Sequence, residues 1–282
     1  MPNSSLSICL LEPNIIWENK AANFAQYDAI LQQLSISAPH TAIDVLIFPE
    51  MFATGFSMNV SQLAEPTEGP TLTWMRHWAQ QLDCAVTGSC IIEDSDTGKH
   101  YNRAFWVEPN GSYTFYDKRH LFRMGGEHDI YTSGNKQLCV EWRNWRIGLL
   151  VCYDLRFPIW ARRHAGFDYD CLIYMANWPT ARIFAWSQLL VARAIENQAY
   201  VVGVNRVGND GQQIAHNGNS VVINYLGETI FTTGDTHHNH KTYAPTPAQT
   251  SLHTIRLSRE SMSDFRQNFP AWADADNFTL EL

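Results

Sequence analysis

Ile147-Gly148-Leu149-Leu150-Val151-Cys152-Tyr153-Asp154-Leu155-Arg156-Phe157-Pro158 is the stretch on which the reading of this chain turns. Its short apolar run, bounded by turn signals, reads as a buried strand. The strand delivers a cysteine at its end, and Leu155-Arg156-Phe157-Pro158 beyond it is where a helix can begin. Just upstream, Arg143-Asn144 separates residues 138–142 from 145–151, which predicts a hairpin.

Two further strands end in the same manner. Asp44-Val45-Leu46-Ile47-Phe48-Pro49-Glu50 is an apolar run into a proline, which cannot occupy a central ladder, so Glu50 lies at a strand's carboxyl end. Tyr113-Thr114-Phe115-Tyr116-Asp117-Lys118 delivers a lysine likewise. Read singly, each has an ordinary explanation: a solvated glutamate, a solvated lysine, a structural thiol in an apolar strand. Together they carry more, because α/β sheets gather ligands at the carboxyl ends of their strands.

The remaining pattern supports such a fold. Residues 6–11, 85–90, 104–107, 171–175, 200–205, 220–224 and 252–257 read as strands. Residues 21–34, a segment opening at Pro70 with Trp74, Trp78 and Leu82 on one face, and residues 183–197 have helical spacing. Strand–helix–strand order with intervening strand pairs predicts an α/β architecture, mixed sheets flanked by helices. No Pro/Gly/Ser-rich linker divides the chain, so residues 1–282 are expected to form one domain. Residues 234–249, with His237, His238 and His240, read as a polar loop or arm. No carboxylate or thiolate stands at ligand spacing around those histidines, and no metal site is predicted.

Composition removes other classes. With 282 residues, 45% hydrophobic and 17% charged, the chain is neither disordered nor fibrous. A formal charge of −8 argues against a nucleic-acid partner. No apolar run nears the roughly 18 residues of a membrane span, and the first residues lack the basic, then apolar, pattern of a secretory signal. A cytoplasmic protein is the expectation. The six cysteines (Cys9, Cys84, Cys90, Cys139, Cys152, Cys171) are dispersed without a CxxC pair, and five read as buried structural thiols.

Glu50, Lys118 and Cys152 suit acyl transfer. A lysine cation and the positive end of a helix after Cys152 would favour the thiolate. A carboxylate within reach would take the thiol proton and pass it to a departing amine. The Lys118 ammonium and the Tyr153 backbone N–H would hold an oxyanion. A cysteine–histidine pair using His120 or His128 as base is the competing mechanism.

The motifs Phe48-Pro49-Glu50, Asp117-Lys118-Arg119-His120-Leu121-Phe122 and Val151-Cys152-Tyr153-Asp154-Leu155-Arg156-Phe157-Pro158 resemble the three signature blocks of the nitrilase superfamily of carbon–nitrogen hydrolases. The likeness continues, in order, through Glu127, Ala176-Asn177-Trp178-Pro179, the segment 192–198 and Ser220-Val221-Val222-Ile223. It implies a four-layer αββα sandwich and a homodimer or higher homo-oligomer. It also implies Glu50 as general base, Lys118 as oxyanion stabiliser, Cys152 as nucleophile and Glu127 as the residue that positions substrate and Lys118. Met51-Phe52-Ala53-Thr54-Gly55-Phe56, Glu127-His128 and Tyr131 most resemble the bacterial ω-amidase branch. That branch hydrolyses the terminal amide of ω-monoamides of dicarboxylates, such as 2-oxoglutaramate, 2-oxosuccinamate and succinamate, without metal or organic cofactor.

Such a substrate carries a second carboxylate, for which Arg156 and Arg182 are candidates; each reads equally well as a structural ion-pair partner. Phe56 and Trp178 are either walls of a narrow pocket or ordinary core. The rivals within the superfamily are another amidase, a carbamoyl-amine hydrolase or a nitrile hydrolase, and outside catalysis a silent scaffold. The aromatic-rich residues 265–272 read as a subunit contact arm or as a cover for their own sheet.

Overall fold

A computed structural model describes residues 5–37, 42–234 and 249–280. In chain order its strands are β1 (Ser5–Glu12), β2 (Val45–Ile47), β3 (Glu65–Pro66), β4 (Ala85–Glu93), β5 (His100–Val107), β6 (Tyr113–Asp117), β7 (Cys139–Trp142) and β8 (Trp145–Val151). There follow β9 (Cys171–Met175), β10 (Tyr200–Val204), β11 (Val207–Asn209), β12 (Ala215–Asn217), β13 (Val221–Ile223), β14 (Thr229–Thr232) and β15 (Ser251–Ser258). The α-helices are α1 (Lys20–Ser37), α2 (Val60–Leu63), α3 (Pro70–Leu82), α4 (Glu127–Ile130), α5 (Pro158–Ala161), α6 (Ile183–Asn197) and α7 (Arg259–Asn268).

Two mixed sheets result. One has the order β15-β1-β2-β4-β5-β6, with β3 paired to β4; the other runs β14-β13-β10-β9-β8-β7. Strict alternation along β1 shows how they stack. Leu6, Ile8 and Leu10 join a core cluster with Ile147, Leu149, Ile173 and Val202 of the second sheet. Cys9 and Leu11 face the other way, onto Tyr27 and Leu31 of α1 and Leu72, Met75 and Trp78 of α3. On the outer face of the second sheet, α6 lies so close that a Cβ on Gly203 would meet Trp186 and Leu190 at 2.6 and 2.7 Å. Helix, sheet, sheet and helix form the expected αββα sandwich.

The register determines what meets at one edge. β1, β2 and β4 are parallel, as are β8, β9 and β10. β5 and β6 run antiparallel, with Arg103 opposite Asp117, so the start of β5 and the end of β6 share an edge with the ends of β2 and β4. Gly88 lets the chain after β2 cross β4, because a Cβ there would lie 2.8 Å from Phe48 and from Phe52.

The Arg143-Asn144 turn forms as predicted, both residues having positive φ (47° and 69°). Residues 265–272 cover their own chain: Phe265 packs on Tyr225 at 5.1 Å, and Arg266 donates to Asp170 and to the carbonyls of Tyr169 and Gln198. His237, His238 and His240 lie outside the described residues.

Candidate active site

Three strand ends and one strand start converge beneath a single cavity. β2 ends at Ile47; Phe48 still donates to the Thr87 carbonyl, and Glu50 then turns inward, fully buried. Its Oε1 accepts from Lys118 Nζ at 2.8 Å and from Asn102 Nδ2 at 2.8 Å, and its Oε2 from the Asn177 backbone N–H at 2.9 Å. The Asn177 side-chain amide donates to the Glu50 carbonyl. A buried carboxylate with this many donors is held in one rotamer.

Lys118 follows β6 directly, its backbone pinned by Lys118 N–H to Asn102 C=O (3.0 Å) and Gly134 N–H to Lys118 C=O (2.9 Å). Its ammonium also donates to both Glu127 oxygens, at 3.0 and 2.8 Å, with the Phe56 ring centroid 5.2 Å away. Two buried carboxylates outweigh the burial penalty and push the Lys118 ammonium well above its usual range, so it stays protonated. Burial, and next Glu50, push the Glu127 carboxyl up, against the pull of Lys118. Glu127 also accepts from Phe122 N–H and is fully buried behind Lys118, away from the cavity wall.

Cys152 begins where β8 stops. It takes φ +45°, unusual for a non-glycine residue, and so turns its sulfur off the sheet. Asp154 secures that turn. Its Oδ2 accepts from Val151 N–H (3.0 Å) and the Tyr116 hydroxyl (2.7 Å), and its Oδ1 from His120 N–H (2.9 Å). Residues 152–156 form a 3-10 turn before α5, not the start of a long helix. With no extended dipole behind it, the helix contribution expected to favour the thiolate is missing. Burial, then the Glu50 carboxylate, push the Cys152 thiol well above its usual range, and Lys118 offsets this only in part. The sulfur's own hydrogen bond goes to the Asn177 carbonyl at 4.0 Å. The Glu50 carboxylate lines the same cavity and favours the protonated thiol, so the two are placed for a proton to pass between them.

The cavity above the sulfur measures about 230 Å³, room for a small linear molecule. All five residues proposed from sequence to meet substrate (Phe56, Tyr153, Arg156, Trp178, Arg182) line it. Arg156 lies over the Trp178 ring at 5.1 Å and Arg182 over Phe122 at 5.2 Å. Neither forms an ion pair with a carboxylate among the described residues. The structural ion-pair reading of both therefore has no support among the described residues. Trp178 is wall and core at once, its ring also packing on Trp186 at 5.4 Å. His120 stacks on Phe157 at 3.7 Å with Nδ1 on Asp154, and His128 faces Asp129; neither lines the cavity. Glu50 and Lys118 share the cavity lining with Cys152.

Sequence reasoning missed two contributors. Asn102 contacts both buried glutamates, and an asparagine inside the strand pattern of residues 101–107 was the available sign. The hairpin of β11 and β12 supplies Asp210, Gln212, Ile214 and His216 to the cavity wall. Burial pushes the His216 imidazole down to about 4, aided by the nearby Arg206 cation.

The carbon–nitrogen hydrolase family model matches residues 7–257. The ω-amidase YafV of Yersinia enterocolitica is 42% identical over 98% of this chain and 99% of its own. The 2-oxoglutaramate amidase of Bacillus subtilis (strain 168) is 30% identical over 79% of this chain and 85% of its own. Among solved structures, a CN-hydrolase superfamily protein from Xanthomonas campestris with an arsenic adduct in its active site has a TM-score of 0.87 at 39% identity. That match covers 98% of this chain and 99% of the other.

Proposed function

The chain belongs to the carbon–nitrogen hydrolase family, and from that premise we propose that it is an ω-amidase, releasing ammonia from the terminal amide of dicarboxylate ω-monoamides. The observation that carries the reading is that Cys152 and the buried Glu50 and Lys118 line one cavity with Arg156 and Arg182, two guanidinium groups without a carboxylate ion pair among the described residues.

In this reading the Cys152 sulfur attacks the amide carbon while Glu50 takes the thiol proton. The carbonyl oxygen becomes an oxyanion received by the Lys118 ammonium and the Tyr153 N–H. Glu50 returns the proton to the amide nitrogen as the carbon–nitrogen bond breaks, and ammonia leaves. The thioester on Cys152 is then attacked by water, whose proton goes to Glu50 and back to sulfur as the diacid departs. Glu50 is back in its carboxylate form at the end of acylation and again at the end of deacylation, and Lys118 keeps its proton throughout. Glu127 and Asn102 hold the ammonium in line. Arg156 and Arg182 take the distal carboxylate, with Phe56 and Trp178 as walls. A small-molecule amide is the only substrate class required; none of the chemistry calls on a metal or cofactor. A homo-oligomer fits the same reading, since Ile159 of α5 and Phe184 and Ile195 of α6 are exposed, and a cytoplasmic setting is proposed with it.

The test is a panel of succinamate, 2-oxoglutaramate, N-carbamoyl-β-alanine, N-carbamoylputrescine and an aliphatic nitrile, scored by ammonia release. Turnover of the first two is expected. Turnover confined to a carbamoyl amine or the nitrile overturns the assignment.

A further inference from the structure

Asn102 lies near the start of β5 and is fully buried. Strands seldom carry asparagine, and a buried amide is costly unless its polar atoms are used. Here all are. Nδ2 donates to Glu50 Oε1 at 2.8 Å and to Glu127 Oε1 at 3.1 Å. Oδ1 accepts from the Ser89 hydroxyl at 2.8 Å, and the Ser89 oxygen accepts from the Met51 N–H at 2.9 Å. The Asn102 carbonyl accepts from Lys118 N–H. One residue therefore touches both carboxylates and the lysine's backbone, and reaches the residue after Glu50 through Ser89.

We propose that Asn102 is a positioning residue that keeps Glu50 and Glu127 both ionised around the one ammonium they share. Lys118, Glu50 and Glu127 together carry one negative charge in excess, and the other ionisable groups facing them are the Cys152 thiol and the Tyr131 phenol, with Glu18 beyond. Left alone, two buried carboxylates of like charge favour taking up a proton. A protonated Glu50 cannot receive the thiol hydrogen. The asparagine amide supplies two N–H groups that stabilise the charged form of each carboxylate. Being neutral, it does so without a second cation to compete with Lys118 for them. Aspartate would add a third negative charge, leucine would offer no donor, and serine would offer only one. Ser89 fixes the amide's orientation, because its hydroxyl donates to Oδ1 and so leaves the NH₂ facing the carboxylates.

The turnover arm of the test rests on the ω-amidase reading; the alkylation arm does not. Second-order rates of iodoacetamide labelling at Cys152, located by peptide mass spectrometry, are measured from pH 4.5 to pH 9 for wild type, Asn102→Leu and Ser89→Ala, beside kcat and KM on 2-oxoglutaramate. For Asn102→Leu the acid limb of labelling moves to higher pH by about one unit. Its kcat falls roughly a hundredfold while KM stays within about threefold. Ser89→Ala moves the limb in the same direction by less, and decides the matter where Asn102→Leu does not fold. Acid limbs that coincide with wild type in the folded variants overturn the proposal. A wild type that is labelled normally but turns over no ω-amide would remove the function reading and leave the alkylation arm to judge Asn102.

Discussion

Replacing Lys118 by methionine keeps most of the stem and removes the ammonium. In the native site Nζ donates at 2.8 Å to Glu50 and at 3.0 and 2.8 Å to Glu127. All three side chains have 0% exposure, so water cannot take the lysine's place. Removing one partner from a buried ion pair costs about 3–5 kcal/mol. At roughly 2–4 °C per kcal/mol for a chain approaching this size, the melting midpoint falls by about 6–20 °C near pH 8. The sign of the pH dependence follows from Glu127. Burial and Glu50 already push its carboxyl up and Lys118 opposes them, so without Lys118 it rises further. A carboxyl whose folded-state value lies above its unfolded one favours the fold when protonated. The deficit of Lys118→Met relative to wild type therefore shrinks as pH falls from about 8 to 5, and adding Glu127→Gln restores part of it at pH 8. Thermal melts by circular dichroism across that range are the assay. Turnover of the variant is expected to fall by about 10²–10³ or more through loss of the oxyanion donor. A melting point within about 2 °C of wild type at pH 8, or a deficit that widens in acid, would refute the reasoning.

Other consequences are equally concrete. The double variant Arg156→Met/Arg182→Met should lose roughly 10- to 100-fold or more in kcat/KM on 2-oxoglutaramate, the worth of charged hydrogen bonds, and little on a neutral aliphatic amide; equal losses on both would contradict the carboxylate role. His216 is buried with its imidazole pushed from 6.5 to about 4, so it is neutral in the folded chain while the unfolded chain takes up a proton near 6.5. Its contribution is complete above about pH 6.5 and lost as pH falls toward 4, a change of up to about 3 kcal/mol. Urea denaturation of wild type and His216→Gln from pH 7 to pH 4.5 should therefore diverge, and parallel curves would contradict it.

What was legible in the sequence, and what was not, has a physical pattern. β8, β9 and α6 run over the residues read for them, because buried apolar runs and helical spacing are strong signals. The Arg143-Asn144 hairpin was legible because two strand-like runs stand two residues apart. β11 and β12 were not: they are three residues each, with little apolar alternation, and are secured from outside by the Asn14–Val207 bridge. α7 escaped because Arg-Glu-Ser-Met-Ser-Asp-Phe-Arg-Gln-Asn reads as polar, Met262 being its one buried residue. At the site, Glu50, Lys118 and Cys152 were visible as strand-end residues. The positive φ of Cys152 and of Met51 was not, since neither residue type advertises it. The balance at the thiol was not legible: Lys118 does pull toward thiolate, but burial and the Glu50 carboxylate, neither visible in the sequence as a neighbour of the sulfur, outweigh it.

The most direct test of the central claim is the mass of the protein trapped while turning over a slow ω-amide, followed by peptide mapping of the adduct. The account predicts an acyl group equal to the substrate less ammonia, attached at Cys152 and absent from Cys152→Ala. An adduct on any other residue, or full amidase activity in Cys152→Ala, would contradict it.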